Sequence, residues 1–409
     1  MHYSPSVVDL EKEHLFQNYA RLPLVIERGE GCYIYDNTGK RYLDFVSGLG
    51  VNALGHAHPR VMKAIQEQMG RLIHCSNLYY HPFQGPLGAR LTATSALDRA
   101  FFANSGAEAT EGALKIAKGY GRKLHADKYE IVALNNSFGG RTLAAAAVTG
   151  QVKYREPFEP LLPGVKFVDP NDEAALKAVV GERTTAILFE PVLGEGGIVE
   201  ITRSFAQLAA DLAKKHNALL ICDEIQSGLG RTGELFAFQA WNRPGKDGSP
   251  AADIRPDIIT LAKPLAGGLP IGCILANNRA AEVLGSGLHG STFGGNALAC
   301  RVALEVLDVI DELLPAVIEK GTYFAGRLEG LVAKYDFVET VRGRGLMLGL
   351  KLRIPGKWAM MKALEAGFLI NCTAESVLRF LPPYIIERRH IDELIDELDV
   401  IFEEGPPEA

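Results

Sequence analysis

The chain has 409 residues, of which 47% are hydrophobic and 22% charged, a composition typical of a globular protein and not of a disordered or membrane-spanning one. Its net charge of −6 argues against the basic surface that nucleic acid or an anionic membrane would need. Because no apolar run approaches the ~20 residues of a membrane-spanning helix and the N-terminus lacks a signal-peptide pattern, we expect a cytoplasmic protein without nucleic-acid or membrane partners.

The first predicted element is a hairpin in "GCYIYDNTGKRYLDF" (residues 31–45). From residue 100 to 276, short apolar runs then alternate with helical patterns. The predicted strands are, in order, "RAFFAN", "YEIVALN", "GVKFVD", "TTAILFE", "ALLICDE", "PDIITLA" and "IGCILAN". This alternation predicts the α/β class, with a mostly parallel sheet covered by helices on both faces.

The pattern changes after Asn296, where a long helix, another helix, a strand pair around "FVETVRGRGLMLGLKL" and a terminal amphipathic helix are predicted. These elements predict a second, smaller α+β domain that the N-terminal arm joins. We therefore divide the chain into an arm that forms part of the small domain (1–50), a large domain (51–295) and a C-terminal small domain (296–409). The polar, turn-rich segment 241–256 is predicted to be a surface loop.

Lys263 is the first candidate for chemistry, because in "LAKPLAGGLPIG" it follows an apolar strand and precedes residues that break a helix. A buried ammonium is costly unless it is paired, neutralised or used covalently. The alternative is a lysine that extends its amine to solvent at the end of a strand.

The end of "ALLICDE" carries a second candidate, Asp223, with Gln226 just beyond it. A carboxylate at this place can keep a pyridine nitrogen protonated, whereas a structural aspartate would cap the loop. Gly228, Gly230 and Gly233 match G-x-G-x-x-G, a pattern of dinucleotide binding. No clear helix starts at the third glycine, which weakens that interpretation.

The stretch "FFANSGAEATEG" places Ser105, Gly106 and Ala107 where a strand ends and a helix begins. Free N–H groups at a helix start bind phosphate, although an ordinary N-cap serine would explain the same residues. An aromatic ring can stack on a flat cofactor and an arginine can hold a carboxylate, but core and surface positions explain such residues equally. The further candidates lie near strand ends or helix starts. They are the aromatic Phe138, the arginine Arg141, the acids Glu190 and Glu195, and the hydroxyl residues Ser291 and Thr292.

Neither the six scattered cysteines nor the pair His56 and His58 predicts a metal site, because no C-x-x-C pair and no further ligand cluster accompanies them. The other candidates share one location, since ligands of a parallel sheet lie beyond the carboxyl ends of its strands. A lysine, an acid, an aromatic ring and a helix start are the groups that pyridoxal 5'-phosphate needs, and the arginine is expected in the same place. The residues therefore predict a site for that cofactor.

Five motifs, in this order, make the chain resemble the class III pyridoxal-phosphate aminotransferases, and among them those that act on acetylornithine: "NSGAEA", "FEPVLGEGG", "ICDEIQSGLGRTG", "TLAKPLAGGLPIG" and "STFGGNALAC". The likeness extends from "NYARLPLVIERGEGCYIYDNTGKRYLDF" to "VLRFLPPYII". It implies an aspartate-aminotransferase-type large domain (fold type I) with a mixed, mostly parallel sheet. It also implies a smaller α+β domain built from both chain ends, and a homodimer with shared active sites.

The resemblance implies roles for individual residues as well. Lys263 would bond the cofactor covalently and transfer protons, and Asp223 would hold its ring nitrogen. Cofactor contacts are implied for Ser105, Gly106, Ala107, Phe138, Gln226 and, from the partner subunit, Thr292. Substrate contacts are implied for Arg141, Ser291, Glu195 and Arg379, and Glu195 would mask Arg379 until a dicarboxylate arrives.

Two departures from the family pattern concern the surroundings of the site. Gly139 stands where a histidine or tryptophan is usual, which predicts a more open pocket wall. The segment 241–256 is longer than usual, and the sequence assigns no effect to that length.

The implied reaction is the transfer of an ω-amino group from N2-acetylornithine to 2-oxoglutarate, giving N-acetylglutamate semialdehyde and glutamate in arginine biosynthesis. Ornithine, succinylornithine, 4-aminobutyrate and an acylated lysine precursor stay open as donors, because the shape of the pocket selects the acyl group. Two rivals come from other reaction classes. One is an aminomutase that needs no separate amino acceptor, and the other is a nucleotide-dependent oxidoreductase that uses the glycine motif.

Overall fold

Helices and strands alternate along the computed structural model, which describes residues 6–244 and 251–406. The strands are β1 (Ile26–Glu30), β2 (Tyr33–Asp36), β3 (Arg41–Asp44), β4 (Arg99–Ala103), β5 (Glu130–Leu134), β6 (Val165–Val168), β7 (Thr184–Phe189), β8 (Val192–Leu193), β9 (Val199–Glu200), β10 (Leu219–Asp223), β11 (Ile258–Leu261), β12 (Gly272–Ala276), β13 (Val338–Arg344), β14 (Met347–Leu352), β15 (Phe368–Leu369), β16 (Asn371–Thr373) and β17 (Val377–Phe380). The helices are α1 (Ser6–His14), α2 (Ser47–Gly50), α3 (Pro59–Met69), α4 (Gln84–Ser95), α5 (Gly106–Leu124), α6 (Leu143–Ala147), α7 (Glu173–Val179), α8 (Arg203–Lys215), α9 (Asn278–Ala281), α10 (Ala297–Lys334), α11 (Lys357–Ala366) and α12 (Arg388–Glu404). Within these described ranges, no helix has the length and apolar character needed to cross a bilayer.

Seven strands form the large sheet, in the order β4-β12-β11-β10-β7-β5-β6. β12 runs antiparallel to its neighbours β4 and β11, and the other neighbouring pairs are parallel. The seven predicted strands are thereby confirmed, and the sheet is mixed and mostly parallel. Because β4, β5, β6, β7, β10 and β11 all run in one direction, their carboxyl ends lie along one edge of the sheet.

Apolar residues point to both faces of this sheet. In β10, Leu219 and Ile221 belong to one core cluster, while Leu220 and Cys222 belong to the other. Side chains of α5 pack in the first cluster and side chains of α8 in the second. Since both faces are covered, the strands are continuous apolar runs, which explains why the sequence revealed them.

Strands from both ends of the chain form the smaller sheets. β1, β2, β3 and β15 lie side by side in that order, and β15 runs parallel to β3, so residues 368–369 extend the N-terminal hairpin. A second sheet, antiparallel throughout, has the order β13-β14-β17-β16, and β8 pairs with β9. The predicted hairpin, strand pair and terminal helix are confirmed as β2–β3, β13–β14 and α12.

A single helix, α10, occupies the segment in which two helices were expected. It has 38 residues and continues through Pro315. Proline has no N–H to donate to the carbonyl group of the preceding turn. Because Pro315 is exposed, water can donate to that carbonyl group instead. α10 packs on α3 as well as on α12 and β13, and these contacts along its length stabilise it as one helix. α10 contacts α3 of the predicted large domain as well as α12 and β13 of the predicted small domain, so it does not separate the two. The domain boundaries at 50/51 and 295/296 therefore stay predictions.

The segment 241–256 only partly matches the predicted surface loop, and its residues 245–250 lie outside the described residues. On either side of them, Trp241 and Ile254 are buried in the main core, and the Trp241 Nε1–H donates to the Ile201 carbonyl at 3.1 Å. Asp253 and Arg255 are exposed. The ends of the segment are therefore anchored by apolar side chains, because their burial outweighs the preference of the neighbouring polar residues for water.

Candidate active site

A cavity of about 640 Å³ lies at the carboxyl ends of the large-sheet strands. Its volume is in the range of small-molecule and cofactor sites. Nine of the predicted site residues line it: Ser105, Gly106, Ala107, Phe138, Arg141, Glu195, Asp223, Gln226 and Lys263. The parallel arrangement of the strands thus brings together residues from motifs that are far apart in the sequence.

Lys263 begins a short 3-10 helix directly after β11, with Ala262 between the two elements. Its φ of 31° lies in the left-handed region, which residues with a side chain rarely adopt. Backbone strain of this kind costs about 1–3 kcal/mol and is concentrated at functional sites. Within residues 6–244 and 251–406, the Lys263 amine makes no hydrogen bond or ion pair. The chain therefore holds a cavity-lining amine without a partner in a strained conformation.

The charge state of Lys263 depends on its surroundings. Burial lowers the pKa of its ammonium, and the carboxylates of Asp223 and Glu190 oppose that change. A lowered pKa increases the fraction of neutral amine at a given pH, and the neutral amine is the nucleophile and the base.

Two buried acids flank this amine at the ends of neighbouring strands. Asp223 ends β10 and Glu190 follows β7. Burial raises the pKa of Asp223 to about 6, against the hydrogen bond from the Ile225 N–H at 3.0 Å and the charge of Lys263. Burial and then the charge of Asp223 raise the pKa of Glu190 to about 8. Acids and a lysine with displaced pKa values in one cavity are characteristic of an active site.

Glu190 also connects two walls of the cavity. Its Oε1 accepts a hydrogen bond from the Phe138 N–H and its Oε2 accepts one from the Gly194 N–H, each at 3.0 Å. The first donor carries the predicted ring-stacking side chain, and the second precedes Glu195. The sequence indicated Glu190 only as an acid after a strand, because backbone donors leave no trace in a sequence.

The free energy of unfolding of the cofactor-free protein is expected to fall as the pH rises from about 5 to 9. In Glu190→Gln this fall is expected to be smaller. The pKa of Glu190 is higher in the folded protein (about 8) than its ordinary value of 4.5, so the folded state binds this proton more tightly. The contribution of Glu190 is therefore fully present below about pH 4.5 and is lost as the pH rises through 8. Urea titrations of both proteins give the free energy of unfolding across this range.

The difference between the two proteins in that experiment gives the effect of Glu190 together with its interaction with the charge of Asp223. Glu224, another buried acid, has a pKa of about 7 because of its burial, and it titrates in the same range in both proteins. Identical pH dependence of wild type and variant would show that Glu190 keeps an ordinary pKa.

The start of α5, where an anion site is predicted, lines the cavity. Ser105 is its N-cap, and the Ser105 Oγ accepts a hydrogen bond from the Glu108 N–H at 3.2 Å, so the ordinary interpretation of this serine is confirmed. The N–H groups of Gly106 and Ala107 line the cavity and have no acceptor in the described part of the chain. These donors at the positive end of a 19-residue helix are available to a phosphate.

Phe138 and Arg141 lie on the loop between β5 and α6. The Glu111 carboxylate accepts a hydrogen bond from the Thr142 hydroxyl and so fixes the end of this loop. The Arg141 guanidinium carbon lies 3.8 Å from the centre of the Tyr154 ring and 5.5 Å from that of Phe138. Sequence reasoning missed Tyr154, which also lines the cavity, because no motif surrounds it.

Gly139 does not open the pocket wall as predicted. A Cβ on Gly139 would lie 2.8 Å from the Ala145 carbonyl oxygen and 2.8 Å from the Val148 Cγ2. The space of the missing side chain is therefore filled by α6 and the residue after it. The glycine permits this close packing, and its N–H donates to the Thr149 Oγ1 at 2.9 Å.

Arg379 lies in β17 and forms an ion pair with Glu195. Its Nη1 donates to the Glu195 Oε1 at 2.7 Å and to the Gly194 carbonyl at 3.1 Å, while its Nη2 donates to the Asn371 Oδ1 at 2.8 Å. The Arg379 side chain is 1% exposed and that of Glu195 is 31% exposed, so this is not an ion pair of the surface. Asn371, which pairs with Arg379 in the β16–β17 register, was not predicted because the contact depends on that register.

Gln226 packs against the loop that carries Glu195. A Cβ on Gly194 would come within 1.9 Å of the Gln226 Oε1, so a larger residue here would displace the Gln226 amide from its present place. The same oxygen lies 3.4 Å from the Arg379 Nη1. The predicted cofactor residue Gln226 therefore contacts Arg379 and Gly194, the residue before Glu195.

Ser291 and Thr292 are not among the residues that line the cavity of the single chain. The Ser291 Oγ accepts hydrogen bonds from the Asn104 Nδ2 at 3.0 Å and from the Gly294 N–H at 2.9 Å. Thr292 is exposed. Within one chain Ser291 thus lies beside Asn104, just before the start of α5, but neither residue lines the cavity, and their contribution from a partner subunit stays a prediction.

The glycine motif of residues 228–233 does not form a dinucleotide site. No helix begins at Gly233, and the next helical turn is the 3-10 helix Ala237–Asn242. Arg231, inside the motif, is fully buried and donates to the carbonyl oxygens of Leu346 and Pro382. The loop thus packs against the C-terminal part of the chain, and the dinucleotide interpretation is wrong.

The chain matches the family model "Aminotransferase class-III" over residues 16–402. The acetylornithine aminotransferase of Methanocaldococcus jannaschii is 49% identical to it over 400 residues, which are 97% of this chain and 98% of that protein. A crystal structure of the ornithine aminotransferase from Toxoplasma gondii aligns with a TM-score of 0.90 at 32% identity, covering 99% of this chain and 97% of that one. The acetylornithine aminotransferase from Elizabethkingia anophelis aligns with a TM-score of 0.84 at 31% identity, covering 98% and 99%.

Proposed function

Since this chain belongs to the class-III aminotransferases, we propose that it transfers the ω-amino group of N2-acetylornithine to 2-oxoglutarate, with pyridoxal 5'-phosphate as cofactor. The products would be N-acetylglutamate semialdehyde and glutamate, which places the reaction in arginine biosynthesis. The proposal is supported by relatives named for acetylornithine that are 41–49% identical over more than nine-tenths of the chain.

The residues of the cavity fit this cofactor. The partnerless amine of Lys263 can bond its carbonyl carbon, and the free N–H groups of Gly106 and Ala107 can hold its phosphate. Asp223 can hold its ring nitrogen, and Phe138 can cover its ring. When bound, the cofactor supplies a carbon that accepts the amino group and a ring that withdraws electrons.

The chain's own residues would control the protons. The Lys263 Nζ would remove the proton from the donor carbon that bears the amino group, and would return a proton to the acceptor carbon in the second half-reaction. Its lowered pKa supports this role, because a neutral amine is ready to accept a proton. The Asp223 carboxylate would keep a proton on the ring nitrogen, since a nearby negative charge favours the protonated form.

The observation that supports this choice of substrates is the difference in burial and pairing between Arg141 and Arg379. Arg141 is exposed at the cavity and makes no hydrogen bond or ion pair within the described residues. Arg379 is buried and masked by Glu195. A donor with one distal carboxylate needs only Arg141. A dicarboxylate such as 2-oxoglutarate needs a second cation, which Arg379 would become when Glu195 turns away.

Separate half-reactions test this assignment. N-Acetylornithine alone should convert the cofactor of the holoenzyme from its aldehyde to its amine form, and 2-oxoglutarate should then restore the aldehyde form. The competing donors are ornithine, succinylornithine, 4-aminobutyrate and an acylated lysine precursor. A kcat/KM for any of these equal to or above that for N-acetylornithine would contradict the proposal, and continuous turnover without 2-oxoglutarate would indicate an aminomutase.

Glu195→Ala is expected to preserve or improve the reaction with glutamate, and to lower the selectivity for N-acetylornithine over glutamate by about 10-fold. Without the carboxylate of Glu195, Arg379 keeps only neutral acceptors such as Gly194 and Asn371, so its charge is open to the second carboxylate of glutamate. The measurement is kcat/KM for each half-reaction. Glu195→Gln is the matched control, because it removes the charge and keeps the length. Equal loss of both half-reactions in the two variants would assign Glu195 a structural role.

We also propose a homodimer whose partner subunit supplies Ser291 and Thr292 to the cavity. The Asn77 Nδ2 donates to the carbonyl oxygens of Ser291 and Gly294, which places residues 78–80 beside residues 291–294. Exposed apolar clusters mark interaction surfaces. The exposed apolar side chains of this surface are Leu78, Tyr79, Tyr80 and Phe293.

Light scattering of the holoenzyme should give twice the 44.3 kDa of one chain. Full activity of a particle with the mass of one chain would contradict the shared site. The cytoplasmic location stays a prediction, which fractionation of cells that produce the protein can check.

A further inference from the structure

We propose that Tyr154 is a positioning residue that holds the Arg141 guanidinium over the cavity by a cation–π contact, so that Arg141 can bind the distal carboxylate of the amino donor. This inference rests on the role proposed above for Arg141. The guanidinium carbon lies 3.8 Å from the centre of the Tyr154 ring, well inside the ~6 Å over which such contacts attract.

Arg141 needs such a support because, apart from the more distant ring of Phe138 at 5.5 Å, the described residues offer it no other. The side chain is exposed and makes no hydrogen bond or ion pair within residues 6–244 and 251–406. A free arginine side chain samples many rotamers, and ordering it when the ligand binds costs affinity. Contact through the flat face of the guanidinium orders the side chain and leaves the N–H groups at its edge free for a carboxylate.

The ring of Tyr154 is itself well placed. Tyr154 ends the 3-10 helix Val152–Tyr154 and lines the same cavity as Arg141. It meets Phe138 edge to face, with ring centres 6.3 Å apart and an angle of 89° between the rings. Its hydroxyl makes no hydrogen bond within the described residues. The ring, and not the hydroxyl, is therefore the part of Tyr154 that acts on Arg141.

The two arginines proposed to bind substrate carboxylates thus use different supports. Arg379 is held by hydrogen bonds from its two Nη groups to Gly194, Glu195 and Asn371. Arg141 is held by the aromatic rings of Tyr154 and Phe138, which occupy none of its N–H donors. This arrangement suits an arginine that binds a carboxylate in every catalytic cycle and has no protein acceptor to displace.

Tyr154→Leu is expected to raise the KM for N-acetylornithine about 3- to 30-fold and to change kcat by less than about twofold. Tyr154→Phe keeps the ring and should retain the KM of the wild type. N-Acetylputrescine, a donor without the distal carboxylate, should have the same kcat/KM in all three enzymes. These constants are measured with the holoenzyme in the first half-reaction at saturating pyridoxal phosphate.

An unchanged KM in Tyr154→Leu would overturn the proposal, as would a Tyr154→Phe enzyme as weak as Tyr154→Leu. A rise in KM that is present at low cofactor concentration and absent at saturation would also overturn it, because Tyr154 would then act on the cofactor through Phe138. Arg141→Ala is measured beside these variants. If it leaves the KM for N-acetylornithine unchanged, the role proposed for Arg141 is wrong; if it raises that KM and Tyr154→Leu does not, the role of Tyr154 alone is wrong.

Discussion

Lys263→Ala is expected to lower the rate of both half-reactions by at least about 10³-fold while the protein still folds. The substitution removes the amine that would bond the cofactor and the group that would carry the proton. Folding should tolerate the change, because the Lys263 amine has no ion pair or hydrogen bond to lose within the described residues. Single-turnover kinetics measure the rate, and borohydride reduction followed by peptide mapping locates the covalent adduct.

Lys128→Met is the matched control for that experiment. Lys128 is also a buried lysine whose burial lowers its pKa, but its amine donates to the carbonyl oxygens of Glu182 and His216. Its loss should lower the free energy of unfolding and leave the covalent adduct and the turnover unchanged. An adduct on a lysine other than Lys263, or a rate in Lys263→Ala within 10-fold of the wild type, would contradict the assignment.

Asp223→Ala is expected to weaken cofactor binding and to slow proton removal from the donor by about 10²- to 10³-fold. The carboxylate lies in a buried place, where a charge acts strongly on its neighbours. Without it, a ring nitrogen bound there would lose its proton, and the ring would withdraw fewer electrons from the reacting carbon. Rapid-mixing experiments on the first half-reaction measure the rate, and titration of the cofactor-free protein measures the affinity.

Two further variants separate charge from packing in the Asp223 experiment. Asp223→Asn keeps the size and removes the charge, so it should be nearly as slow as Asp223→Ala. Asp257→Asn changes a buried aspartate at the opposite edge of the sheet, where Asp257 pairs with Arg279 at 2.7 Å. It should lower stability without slowing the reaction. Rates near the wild type in both Asp223 variants would show that the carboxylate does not act on the cofactor.

The sequence by itself determined the features that depend on neighbouring residues. The seven strands of the large sheet are apolar runs bounded by glycine, proline or polar residues, and burial on both faces makes each run visible without knowledge of its partners. The N-cap at Ser105 and the lysine directly after β11 are local in the same way. Local motifs were also enough to predict the family, and they predicted nine of the residues that line the cavity.

Only the tertiary structure decided the features that depend on residues far apart in the chain. The register of β16 and β17 places Asn371 beside Arg379, and the packing of α6 fills the space beside Gly139. Contacts with α3, α12 and β13 keep α10 one helix through Pro315. Tyr154 reaches Arg141, and Glu190 joins the Phe138 and Gly194 loops, through folded geometry alone. Such contacts have no period or motif, because the free energy that selects them arises when distant segments exclude water together.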